Sequence, residues 1–210
     1  MITNPNMKKV ILVVLFIAGL GSLAQAQLLN PGIEIGYGGF TPPMLSGDVK
    51  TRAEFFSNTV KGTETVTSTG AFHAAVYAKV WKVTVGVEGS YESMMVKNQF
   101  TYSSGNQTIG GEQKTNHNYV TAMARVQWNY WSFPGFKLYG GLAGGTYWVT
   151  SKLKENNSNE TPDPKTSYES FAYQVTAIGA SVGSNKVTVF LEGGYGFLGL
   201  VSGGVRFKLK

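Results

Sequence analysis

Apolar and polar residues alternate one for one along much of the chain, in blocks of about ten. The clearest block is residues 83–95, VTVGVEGSYESMM. Val83, Val85, Val87 and Tyr91 share one face; Thr84, Glu88, Ser90 and Glu92 share the other. A period of two is the mark of a strand, because successive side chains leave a strand on opposite faces. Seven further blocks read the same way: 32–40, 70–80, 117–130, 136–150, 168–182, 187–196 and 200–209. In 168–182 the pattern slips near Ile178, which predicts a bulge.

The connections form a second pattern. Trp81-Lys82, WSFPG at 131–135 and GSNK at 183–186 are tight turns. Thr41–Thr67, Asn98–Asn116 and Ser151–Ser167 read as long polar loops, with a short helix expected over Asp48–Phe56. Only the last connection, Phe197-Leu198-Gly199, breaks the alternation of long and tight. Eight antiparallel strands with short turns at one end and long loops at the other predict an all-β, up-and-down barrel. Strands of about ten residues suit a tilted crossing of a bilayer.

Composition bears on which face looks inward. Charged residues are only 14% of the chain, against roughly 25% in soluble domains. A soluble, lipocalin-like barrel would carry many charges on its outer face. Here the polar faces are mostly Gly, Ala, Ser, Thr and Gln, which suit a crowded interior. Trp81, Trp128, Tyr130, Trp131, Phe133 and Phe136 gather near the tight turns, and Tyr91 and Trp148 lie nearer the long loops. Amphipathic rings favour the two headgroup levels of a membrane. The expected architecture is therefore an eight-stranded antiparallel transmembrane β-barrel with its oily face outward.

The N-terminus fits that destination. Lys8-Lys9 precede an apolar run, Val10–Leu20, and Ala24-Gln25-Ala26 supplies small residues for cleavage before Gln27. This predicts a signal peptide over 1–26 and a barrel domain over 27–210. The apolar run is short for a spanning helix, and no other long apolar run exists. Absence of cysteine leaves no disulfide framework and no thiolate metal site. The net charge of +6 is scattered without a Lys/Arg run, so nucleic acid is not an expected partner.

With the oily face outward, Glu34, Glu88, Glu92, Arg125, Lys137, Glu192 and Arg206 point into the lumen. Eight strands enclose a bore just wide enough to be filled by side chains. Unpaired charge there is costly. A network is expected in which Arg125 and Arg206 neutralise Glu88 and Glu192, with Glu92 on the same inward face and part of it, and Glu34 beside Arg206. A selectivity-determining pore lining is the functional alternative.

The first predicted strand GIEIGYGGF, the closing stretch GGYGFLGLVSGGVRFKL at 193–209, and the leader residues Lys8-Lys9 with AQA resemble small eight-stranded outer-membrane barrels. The likeness is to the outer-membrane-protein-A/X-like group and to the outer membrane protein beta-barrel domain proteins of the Bacteroidetes. It implies an outer-membrane location, insertion by the barrel-assembly machinery, and contact with lipid and lipopolysaccharide. It implies no particular substrate. Such barrels usually end in an aromatic residue, whereas here Phe207 is followed by Lys208-Leu209-Lys210. No peptidoglycan-binding domain is expected after the last strand.

Some barrels of this size modify lipid A, including deacylases that pair Ser with His. The chain has two histidines. His73 falls mid-strand on a polar face, and His117 lies at a strand start with no serine in a recognisable pairing. No metal spacing is present, and no glycine-rich piece opens a helix, so no cofactor and no catalytic residue is expected. Three Asn-x-Ser/Thr matches, at Asn106, Asn156 and Asn159, lie in the polar loops. Lys50, Arg52, Lys61, Lys114, Lys152, Lys154 and Lys165 lie in or near those loops and suit anionic headgroups. The expected role is non-enzymatic: structural, or surface-interacting through the loops.

Overall fold

In the computed structural model, residues 30–41, 60–104, 107–155 and 166–209 are described. The signal peptide, the helix expected over 48–56, and Lys50, Arg52 and Lys165 lie outside these residues. Nine strands make one antiparallel sheet: β1 (Asn30–Gly39), β2 (Val60–Ser68), β3 (Ala71–Val80), β4 (Val83–Ser104), β5 (Gln107–Phe133), β6 (Phe136–Glu155), β7 (Thr166–Gly183), β8 (Val187–Gly196) and β9 (Val201–Lys208). The sheet closes on itself: β3 pairs with β1, β1 with β9, and the meander β9-β8-β7-β6-β5 returns to β4. Among the described residues no helix is long and apolar enough to cross a membrane, which says nothing of strands.

Nine strands replace the eight expected because one stave is broken. β2 and β3 both pair with β4, end to end: Ser68 lies opposite Met94 and Phe72 opposite Tyr91. The break is at Thr69-Gly70. Gly70 takes φ +70°, a left-handed conformation, and a Cβ there would run into the Tyr37 ring. Local hydroxyls hold the broken ends. Ser68 Oγ accepts from the Gly70 amide, Thr69 Oγ1 accepts from the Ser93 amide, and Tyr37 donates to the Thr69 carbonyl.

Two expected loops are largely strand. Asn98–Asn116 is a ladder in which Asn98 faces Gln113 and Ser104 faces Gln107, and residues 113–116 pair with β6 as well. Part of Thr41–Thr67 is β2, and β6 and β7 extend into 151–167. Ladder hydrogen bonds need no apolar residue when a neighbour stands on each side. The alternation continues: Met94, Val96 and Asn98 are buried, while Met95 and Gln99 are exposed. WSFPG narrows to Pro134-Gly135, because Phe133 pairs with Phe136. The slip at Ile178 is a register shift between Thr176 and Ile178, and neighbouring strands shift at Asn129/Trp131 and Tyr139/Gly141.

The faces separate cleanly. Glu34, His73, Glu88, Glu92, Arg125, Gln127, Gln174 and Glu192 are buried in the bore. Ile35, Phe72, Val85, Tyr91, Val126, Leu142, Phe171 and Leu191 are exposed on the outer wall. Trp81, Trp128, Tyr130, Trp131 and Phe133 are exposed around the tight-turn end, whereas Phe136 and Trp148 are only half-exposed. The charged residues of the wall lie inside, beside two apolar clusters, and large oily residues coat the outside, where a water-soluble domain is polar.

Candidate functional site

Five charged groups from five strands meet across the middle of the bore. Arg125 on β5 grips Glu34 on β1 through two parallel bonds, Nη1 to Oε1 at 2.7 Å and Nη2 to Oε2 at 2.6 Å. Its Nη1 also donates to Glu88 Oε2 at 3.1 Å. Arg206 on β9 donates from Nε to Glu34 Oε2 at 2.5 Å and from Nη2 to Glu192 Oε1 at 2.8 Å. Glu34 and Arg125 lie on strands that are not neighbours, so this contact spans the lumen. A planar guanidinium presents forked donors that match a carboxylate, which is why arginine suits such a junction.

Aromatic and amide groups complete the shell. Glu192 also accepts from Tyr139 Oη at 2.7 Å, Gln127 Nε2 at 3.1 Å and Thr176 Oγ1 at 3.4 Å. The Arg206 guanidinium lies over the rings of Tyr139 and Phe190, at 4.7 and 4.4 Å from their centres. Gly179, opposite Tyr139 in the ladder, makes room for that ring: a Cβ there would collide with it. A void of about 10 Å³ among Glu88, Arg125, Gln127, Gln174, Thr176 and Glu192 has the room of one water molecule.

The bore is closed above this cluster. The turn between β8 and β9 tucks Phe197 and Leu198 inside, against Met123 and Ala172. Gln174 holds it there: its Oε1 accepts from the Leu198 amide at 2.9 Å and its Nε2 donates to the Gly199 carbonyl at 3.3 Å. Higher still, Met94, Val96, Tyr119 and Val149 form an apolar layer.

The remaining candidates fall elsewhere. Glu92 is buried but stands apart from the arginines; its Oε1 accepts from Thr41 Oγ1 at 2.7 Å and Ser68 Oγ at 2.5 Å. It therefore pins the broken stave to the end of β1. Lys137 sits at the tight-turn end of β6, opposite Ser132 and Ser181. His73 lies within 3.8 Å of Glu34, and His73, Glu34 and Glu88 bring one ligand atom each within 4.8 Å of one another. A metal ion would fit that spacing, but Arg125 already holds both oxygens of Glu34 and one of Glu88, and its positive charge faces the same spot.

His117 does have a serine partner. Its Nδ1 lies 2.8 Å from Ser151 Oγ, directly across the β5–β6 ladder. Reading Ser151 as the start of a loop hid this pair, which only the register brings together. Among the described residues His117 Nε2 is buried without a partner, and no acid there orients the ring. Of the loop cations, Lys114 stands on the extended β4–β5 hairpin, where it and Lys97 reach Glu112 at 2.8 and 3.1 Å. Those two ammonium groups pull the Glu112 carboxyl down to about 2. Lys152 is exposed on β6.

No family model matches the sequence, and no curated protein matches it.

Proposed function

We propose that the protein is an integral outer-membrane β-barrel whose bore is plugged, and that it acts as a structural or surface-contacting element through its long-strand end. Counting β2 and β3 as one crossing makes it eight-stranded. The observation that carries the reading is the inside-out distribution of side chains: a closed ring with Glu34, Glu88 and Arg125 buried within and Leu142, Leu191 and Phe171 exposed without. Such a wall is stable against hydrocarbon and a liability in water. The exposed Trp81, Trp128 and Trp131 suit one headgroup level, and Tyr91, Tyr168 and Phe171 suit the other. On this reading its partners are membrane lipid, lipopolysaccharide and, during insertion, the barrel-assembly machinery. The single-water void and the ion cluster argue against a solute pore.

The test is gel mobility of unboiled against boiled protein taken from outer-membrane fractions. A closed barrel resists detergent until heated, so the two samples are expected to run at different positions. Identical mobility, with the protein recovered in the soluble fraction, would overturn the reading and favour a secreted soluble barrel.

The His117–Ser151 pair supports a second reading, an acyl-transfer enzyme in which His117 draws the proton from Ser151. The partnerless His117 Nε2 and the apolar layer of Met94, Tyr119 and Val149 beside it weigh against an open site. Lipid A from cells producing the protein is expected to show the same masses as lipid A from cells producing Ser151→Ala. Loss of an acyl chain with the unaltered protein alone would replace the structural role by the enzymatic one.

A further inference from the structure

Below the ion cluster, toward the tight turns, the inward positions change character. Lys79 on β3, Lys137 on β6 and Lys208 on β9 face the bore there, half-buried. Lys79 and Lys208 lie opposite Asn30 and Gly32 of β1, on either side of that strand. β6 stands across the ring from β1, four places away in either direction. Lys137 nevertheless lies close enough to Lys79 for the two amines to act on each other. Lys208 is near enough for its charge to act on Lys137.

Among the described residues no inward carboxylate lies at this level. The inward carboxylates among the described residues are Glu34, Glu88, Glu92 and Glu192. Glu34, Glu88 and Glu192 are engaged by Arg125 or Arg206, and Glu92 by two hydroxyls at the other end. Arg206, paired with Glu34 and Glu192, is near enough for its charge to act on Lys79 and Lys137 as well. An ammonium group has no lone pair, so two of them cannot hydrogen-bond to each other. An anion lying between them can accept from both. A shared anion lets every amine in the cluster keep its charge, which like-charge crowding otherwise opposes. Ser181, paired with Lys137, and Thr84, paired with Lys79, bring hydroxyl donors to the same level.

We infer that the tight-turn mouth of the bore is an anion site for a compact phosphate group, held by Lys79, Lys137 and Lys208. Lysine is a compact donor suited to a tetrahedral oxyanion approached from several sides. The phosphate comes either free from solution or on a lipid headgroup dipping into the mouth. The site belongs to the bore, so it stands or falls independently of whether the outer wall meets lipid.

The probe is inorganic phosphate, titrated calorimetrically into the purified full chain in a neutral detergent at low ionic strength matched with sodium chloride. Saturable binding is expected. Lys137→Met and Lys79→Met are each expected to weaken it about tenfold or more, as loss of a charge-assisted contact does. Lys186→Met, in the exposed β7–β8 turn, is expected to keep the original affinity. Both mouth variants remove a like charge from a crowded cluster, so both are expected to fold, which circular dichroism verifies. Repeating the titration in bilayer discs with and without phosphatidylglycerol separates the sources. Weaker phosphate binding in its presence assigns the site to headgroups, and unchanged binding assigns it to free phosphate. Absence of saturable binding to the unaltered protein, or equal binding by Lys137→Met and Lys79→Met, overturns the inference.

Discussion

Arg125→Leu is expected to destabilise the protein by about 3–5 kcal/mol, the usual cost of removing one partner from a buried ion pair. Arg125 is the group that joins three walls of the bore: it holds Glu34 on β1 and Glu88 on β4 from its own place on β5. Without it, Glu34 keeps Arg206, but Glu88 loses its one charged partner among the described residues, where its Oε1 has none. Most of the cost is the penalty on Glu88 rather than the net worth of the salt bridge. The double variant Arg125→Leu with Glu88→Gln should therefore recover part of the loss, a coupling that a double-mutant cycle reads directly. The measurement is the urea midpoint of the folded barrel in lipid vesicles. An Arg125→Leu midpoint equal to that of the unaltered protein would show that the guanidinium does not neutralise this cluster.

Leu142→Arg separates the two environments its wall can face. Leu142 is 53% exposed on the outside of β6, midway between Phe136 near the tight turns and Trp148 near the other end. Its ladder neighbours Val126 and Val175 are also exposed. In water, replacing an exposed leucine by arginine changes stability by no more than about 0.5 kcal/mol. At the midplane of a bilayer the same change costs about 2–4 kcal/mol. We expect the larger loss in urea titrations from vesicles, with Leu142→Ala as the control for lost apolar area. A near-neutral Leu142→Arg would remove the membrane from the description of this protein and leave the plugged ring intact.

The period-two pattern made the faces legible. Val83, Val85, Val87 and Tyr91 against Glu88 and Glu92 sort outside from inside as soon as the ring closes. Strand neighbours were legible too, since a meander places each strand beside the next. Contacts across the bore were not. Arg125 to Glu34 and Lys137 to Lys79 depend on which strands stand opposite one another. His117 to Ser151 depends on a ladder running past the expected strand ends. The extension of β4 and β5 is hidden because its residues are polar, and polarity reads as loop when alternation is judged by hydrophobicity alone. The alternation sets Glu92 on the inward face, but its hydroxyl partners are hidden, because the break at Gly70 that brings Ser68 to it has only a single glycine as its sign.

The staves are of unequal height. β1, β8 and β9 have 8 to 10 residues, whereas β4 to β7 have 18 to 27 and the broken stave of β2 and β3 has 9 and 10 end to end. At about 3.3 Å per residue and the usual tilt, the short staves rise roughly 25 Å, about the height of the apolar band, and the tall ones well beyond it. Among the described residues the rim is thus a ramp. Its low side is the β8–β9 turn, where Leu198 stoppers the bore; its high side is a sheet standing free of the ring. A large flat body arriving from outside strikes the high side first and is kept off the stopper. Among the described residues a small molecule's shortest approach is over the low side, and it ends at Leu198.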